Sequence, residues 1–112
     1  MRILFIGDIV GEIGRKIVHE RLPEIRSKYK LDFVIANGEN SAAGFGITER
    51  IANSLIDSGV DVITTGNHIW DQREAMVFIN RQERLIRPAN FPAGTPGKGA
   101  GVFETESRKK IL

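Results

Sequence analysis

Three strand-length apolar runs, Ile3-Leu4-Phe5-Ile6, Leu31–Ala36 and Val60–Ile63, recur along the first half of the chain, and each runs into a glycine with polar neighbours. Runs this short, rich in Ile, Val and Phe and closed by turn residues, read as buried strands. The segments between them carry helical spacing instead. Strand, helix, strand, helix, strand with short connections leaves one economical solution, a right-handed parallel βαβαβ unit of the α/β class.

In order, the first strand is Arg2–Gly7, apolar on both faces as a central parallel strand should be. Gly7–Gly14 is a glycine-punctuated turn that opens a helix reaching about Tyr29, with Ile17, Leu22, Ile25 and Tyr29 on one stripe. Pro23 is expected to bend or split that helix near His19 to Leu22. After the second strand, Leu31–Ala36, a small-residue loop leads to Thr48, the predicted cap of a helix striped by Ile51, Leu55 and Ile56 and stopped at Gly59. The third strand is Asp61–Thr65, followed by a short helix over about Gln72–Asn80. A fourth strand at Arg84–Arg87, a Pro/Gly-rich loop over Pro88–Gly99 and a last strand at Val102–Thr105 complete the pattern. Lys110-Ile111-Leu112 reads as the opening of a return strand, so residues 1–112 are expected to be a single truncated domain, the amino-terminal part of something longer.

Composition removes several functions. The 112 residues contain no cysteine, which excludes disulfides, thiolate zinc sites and thiol catalysis. No apolar run is long enough to span a bilayer, and the start does not read as a signal peptide, so a cytoplasmic location without membrane contact is expected. Net charge is +2, with the basic excess in the last third, including Arg81, Arg84, Arg87 and Arg108-Lys109-Lys110. That is too sparse for a duplex-binding stripe, and aromatic residues are too few for a stacking platform along nucleic acid.

The functional signal lies where the strands stop. Ligand crevices of open parallel sheets lie outside the carboxyl ends of the strands. Here the first strand delivers Asp8, the second Glu39 and Asn40, the third Asn67 and His68. Two carboxylates and two amide oxygens suit hard cations, and an imidazole binds metal or moves a proton. Any one of these alone reads as a helix cap or polar turn; three at successive strand ends point to a metal or phosphate site. Elsewhere, His19 reads as a surface or half-buried helix residue; Trp70 and Phe45 could flank a base or seal the crevice, but isolated aromatics beside a sheet read first as packing residues.

Gly7-Asp8, Gly38-Glu39-Asn40 and Gly66-Asn67-His68 resemble the first three motif blocks of the calcineurin-like metallophosphoesterases. Ile-Gly-Asp-Ile-Val-Gly, Asn-Gly-Glu-Asn, Thr-Gly-Asn-His-Ile-Trp-Asp and Arg-Pro-Ala-Asn-Phe-Pro-Ala-Gly-Thr-Pro-Gly are similar to the bacterial YmdB-like branch. The departures, Val10 where the usual first block has histidine and Glu39 in place of aspartate, match that branch.

The resemblance implies the amino-terminal half of a metallophosphoesterase-type αββα sandwich. It implies a dinuclear site for two divalent or trivalent ions, iron or manganese first and zinc as a further choice. Asp8, Glu39, Asn40 and Asn67 would be metal residues, with Glu39 bridging, and His68 would be the catalytic acid rather than a ligand. The implied reaction is hydrolysis of small phosphodiesters, cyclic nucleotides in particular, with an indirect link to RNA and a homo-oligomeric assembly. Members of the superfamily complete the site with later histidines, and this chain has only His19 and His68, so the chain alone is expected to be inactive. Two other readings stay open: a Rossmann-like nucleotide-binding module using the Gly7–Gly14 turn, and a non-catalytic regulatory protein.

Overall fold

A computed structural model describes residues 1–112. Four strands, β1 (Ile3–Asp8), β2 (Phe33–Asn37), β3 (Val62–Thr64) and β4 (Leu85–Ile86), form one parallel sheet in the order β1-β2-β3-β4. The connections carry α1 (Gly11–Tyr29), α2 (Glu49–Asp57), a 3₁₀ turn (Asn67–Asp71) and α3 (Ala75–Phe78). A small antiparallel hairpin, β5 (Phe103–Glu104) with β6 (Lys110–Ile111), ends the chain and supplies the expected return strand.

Because the strands follow one another in sequence order, right-handed crossovers place every helix on the same side of the sheet. The core shows this. Val34, Ala36, Ile63 and Leu85, which share one sheet face, cluster with Val18 and Leu22 of α1, Ala52 and Leu55 of α2, and Ala75 and Phe78 of α3. Fully burying side chains such as Leu22, Phe78 and Leu85 stabilises by roughly 1.5–3 kcal/mol each. Arg26 ties the end of α1 to the start of β3, donating to Asp61 at 2.8 Å while Asp61 also accepts from the Val34 amide at 2.8 Å.

Four expectations are corrected. β1 is an edge strand, not a central one, and its second face is open: Phe5 is 60% and Ile3 44% exposed. Its apolar character on both faces reflects a sheet side that carries no helix, covered only in part by the chain from Gly99 to Leu112. The α1 stripe is rotated: Val18 and Leu22 are buried, whereas Ile17 and Tyr29 are 57% and 51% exposed, at the margin beyond the edge strand. Pro23 does not split α1, which is assigned as one helix from Gly11 to Tyr29. The helix after β3 is shorter than predicted, because Asn67–Asp71 tightens into a 3₁₀ turn and α3 keeps only four residues.

Candidate active site

Each strand end leaves the sheet by a different local device. At β1 the register slips: Ile6 pairs with Ala36, but Asp8 pairs with Asn37, so Gly7 is an extra residue. Such a bulge re-aims the next side chain, and Asp8 stands exposed at the carboxyl edge. The departing backbone is stitched to its neighbour, Ile9 N–H donating to the Asn37 carbonyl and Gly11 N–H to the Asn40 carbonyl, both at 3.0 Å.

At β2 the last residue, Asn37, folds its side chain over the turn. Its Oδ1 accepts from the Glu39 amide at 3.2 Å and its Nδ2 donates to Glu39 Oε1 at 3.5 Å. Asparagine commonly mimics a turn in this way, two residues ahead. The effect is to fix both the backbone and the carboxylate of Glu39. Asn40 Nδ2 donates to Asp8 Oδ2 at 2.8 Å, which joins the first two strand ends and leaves the Asn40 amide oxygen without a protein partner.

At β3 the controlling residue is Gly66. A β-carbon there would lie 2.2 Å from Glu39 Oε2 and 2.4 Å from Oε1, so the Glu39 carboxylate occupies the space a side chain would take. From that seat Oε2 accepts the backbone N–H of His68 at 3.3 Å. Glu39 therefore reaches the third strand end while its neighbour Asn40 reaches the first. The 3₁₀ turn then brings residues three apart into line, and His68 Nδ1 lies 2.8 Å from Asp71 Oδ2. A carboxylate only accepts, so Nδ1 is the protonated nitrogen in this contact and Nε2 faces no protein partner. Asn67 is exposed on the same turn.

Asp8 is thus bonded to Asn40 and Glu39 to His68, the two pairs meet at the Glu39–Asn40 peptide link, and Asn67 adjoins His68 in the chain. They line none of the four cavities and form an open ledge. His19 lies away from them, bonding Ser58 Oγ at 2.9 Å between α1 and α2. Trp70 packs beside Phe91, ring centroids 6.2 Å apart, but Phe45 is 62% exposed and does not pack as predicted. Asn37 and Asp71 are the residues that motif reading overlooked.

In kind, the donors fit a hard cation: carboxylate and amide oxygens, with the Glu39 carboxylate held in a hollow that only glycine leaves open. In number they fall short, because no three His, Asp or Glu side chains converge on one point.

Sheet order and edge chemistry together define a parallel α/β protein built like known phosphatases. Its fold superposes on a crystal structure of a phosphatase from Mycoplasma pneumoniae with a TM-score of 0.83 at 39% identity, covering 91% of this chain and 38% of that one. A hypothetical protein from Thermus thermophilus superposes with a TM-score of 0.86 at 46% identity, covering 95% and 41%. The chain belongs to the YmdB-like protein family, whose model matches residues 4–112. Among curated relatives, the 2′,3′-cyclic-nucleotide 2′-phosphodiesterase of Bacillus subtilis (strain 168) is 60% identical over 109 residues, which is 97% of this chain and 41% of that protein. The chain therefore spans about two-fifths of the length of the relatives it matches. No helix in it is long and apolar enough to cross a membrane.

Proposed function

We propose that this chain carries the strand-end half of a metal-dependent phosphodiesterase site acting on small cyclic nucleotides. One observation carries the reading: the adjacent residues Glu39 and Asn40 bond outward to His68 and Asp8, bringing together groups from three successive strand ends. The relative named for 2′,3′-cyclic nucleotides supports the substrate class.

Asp8, Glu39, Asn40 and Asn67 are the groups that would hold cations; an oxygen donor set suits manganese, and the family resemblance implies iron or manganese. When bound, two such ions supply the Lewis-acid charge that in-line displacement at phosphorus needs. Glu39, seated beside Gly66, is the residue placed between the two neighbouring strand ends. In its doubly protonated form His68 gives the Nε2 proton to the departing alkoxide and is left as the neutral ring, whose Nδ1–H stays on Asp71. Asp71 positions that ring without touching substrate. Donors beyond these are needed for two ions, and we infer that they come from sequence outside the span matched here or from a second copy. The free edge of β1 and the exposed Phe5 support self-association.

The test uses the protein in the state that supplies those further donors, with Mn²⁺, a nucleoside 2′,3′-cyclic phosphate and bis-p-nitrophenyl phosphate. His68→Ala is expected to cut turnover roughly 10²-fold or more while Mn²⁺ still broadens the resonances of Asp8 and Asn40. Loss of Mn²⁺ binding with that variant makes His68 a ligand and overturns its assignment. Absence of both Mn²⁺ binding and hydrolysis when those further donors are present overturns the site.

A further inference from the structure

We propose that Phe45 is the platform on which the base of the nucleotide substrate stacks, which makes it a specificity-determining residue of the site above. The proposal rests on the phosphodiesterase reading for its substrate, but the geometry behind it is separate. Phe45 is the large aromatic beside the ledge that the fold leaves unused. It is 62% exposed and outside the core, while the nearby Trp70 is packed on Phe91. A singly exposed apolar side chain is ordinary, as Phe5 and Ile13 also show, and what distinguishes Phe45 is the fixed support that holds it next to the ledge.

The support is fixed. Residues Ala43, Gly44 and Gly46 all have left-handed backbone, with φ of 54°, 87° and 74°. For Ala43 that conformation is strained, and it persists only where the surroundings impose it. They do so through a closed set of bonds: Ala42 N–H to the Gly46 carbonyl, Phe45 N–H to the Ala42 carbonyl and Gly44 N–H to the Asn40 carbonyl, each 2.9 Å. Arg15 also donates to the carbonyl of Ser41, at the root of the loop.

The same loop is anchored to both halves of the site. On one side it grows directly out of Asn40. On the other, Gln72 Nε2 donates to the Phe45 carbonyl at 2.7 Å, and Gly46 lies so close to the 3₁₀ turn that a β-carbon on it would be 2.9 Å from the His68 carbonyl. The backbone of Phe45 is therefore held between the residue that bonds Asp8 and the turn that carries His68. The backbone anchoring puts residue 45 next to the ledge where a phosphate would sit. Stacking on an aromatic face tolerates every base, so the class predicted is nucleotides of any base rather than one in particular.

The experiment compares a nucleoside 2′,3′-cyclic phosphate with ribose 2′,3′-cyclic phosphate, which lacks the base, and follows adenosine 3′-monophosphate and inorganic phosphate by NMR on the same chain. Phe45→Ala is expected to lower the ratio of kcat/KM for the nucleotide over the base-free diester roughly ten-fold, with Phe45→Tyr restoring it. Adenosine 3′-monophosphate should move the Phe45 ring resonances upfield and inorganic phosphate should not. An unchanged ratio in Phe45→Ala, or a ring unmoved while Asn40 and His68 amides shift, overturns the platform and leaves the phosphodiesterase reading standing. Ring shifts without hydrolysis of either diester overturn the activity and leave the platform. Failure of adenosine 3′-monophosphate to bind at millimolar concentration overturns the platform.

Discussion

Gly66→Ala separates the site from the fold. The three atoms nearest a β-carbon at position 66 all belong to Glu39: Oε2 at 2.2 Å, Oε1 at 2.4 Å and Cδ at 2.5 Å. All three atoms sit at the end of a flexible side chain, so the carboxylate must swing away while the backbone stays. The cost is two long hydrogen bonds, at 3.5 Å from Asn37 and 3.3 Å from His68, each worth about 0.5–1.5 kcal/mol at most. Against this, alanine at a position whose φ is −143° restricts the unfolded chain and stabilises by about 0.4–1 kcal/mol. The balance is a net cost on the order of 1 kcal/mol, so the melting temperature should fall by roughly 4–8 °C while the fold persists. Function should not survive as well, since displacing a reacting group by about 1 Å costs on the order of 10²-fold. The assay pairs thermal melts with Mn²⁺-induced broadening of Asn40 and His68 resonances and with diester hydrolysis. Two relatives of the substitution bracket it. Gly7→Ala, with nothing within 4 Å of its β-carbon, should leave the melting temperature unchanged; Gly38→Ala, which meets Ile63 at 2.9 Å and Ile47 at 3.1 Å, should destabilise by roughly 1–3 kcal/mol. A Gly66→Ala protein that keeps Mn²⁺ binding and hydrolysis refutes the role given to Glu39.

Asp71→Asn should leave the 3₁₀ turn folded but release the His68 ring, because an amide no longer fixes Nδ1 as the donor. ¹⁵N spectra of the neutral imidazole should then lose the single Nδ1–H tautomer, and hydrolysis should fall roughly ten-fold or more on an alkoxide leaving group and less on p-nitrophenolate. Arg81 grips Glu49 through Nε at 3.0 Å and Nη2 at 2.6 Å, and that hydrogen bonding holds the Glu49 carboxyl below the ordinary carboxylate range. A depressed acid stabilises the fold above its unfolded pKa and loses that contribution as pH falls through the folded value. Glu49→Gln should therefore melt lower than the unmodified protein at neutral pH, match it in acid, and show a smaller difference in high salt.

What the sequence made legible was the part governed by periodicity. Alternating runs place β1 to β4 and α1 and α2 within a residue or two, and Thr48 caps α2 as its hydroxyl predicts, accepting from Ile51 N–H at 3.2 Å. The position of β1 was hidden because a strand that is apolar on both faces looks the same whether two helical layers cover it or one face stays open. The rotation of α1 was hidden for a related reason: Ile17 and Val18 are equally apolar, and only the edge position of the neighbouring strand decides which turns inward. Asp71 escaped because its partnership with His68 depends on a 3₁₀ rather than an α-helical turn, a difference that five residues of sequence do not declare.

The bulge at Gly7, the Asn37 turn and the hollow at Gly66 have a common physical logic. Ladder hydrogen bonds and the helix-side core hold the strands, but the groups that would act on a ligand are aimed by departures from regular structure just beyond the last ladder bond. These departures cost little, since each freed amide finds a local acceptor: Ile9 on the Asn37 carbonyl, Gly38 on the Thr64 carbonyl at 3.0 Å, His68 on the Glu39 carboxylate. Three strand ends can thus be shaped independently on one rigid sheet. Two of them are coupled only through the adjacent pair Glu39 and Asn40, which reach in opposite directions from a single turn. A change that moves this turn disturbs both flanks of the site together, whereas Asp71 and Gly66 each act on one.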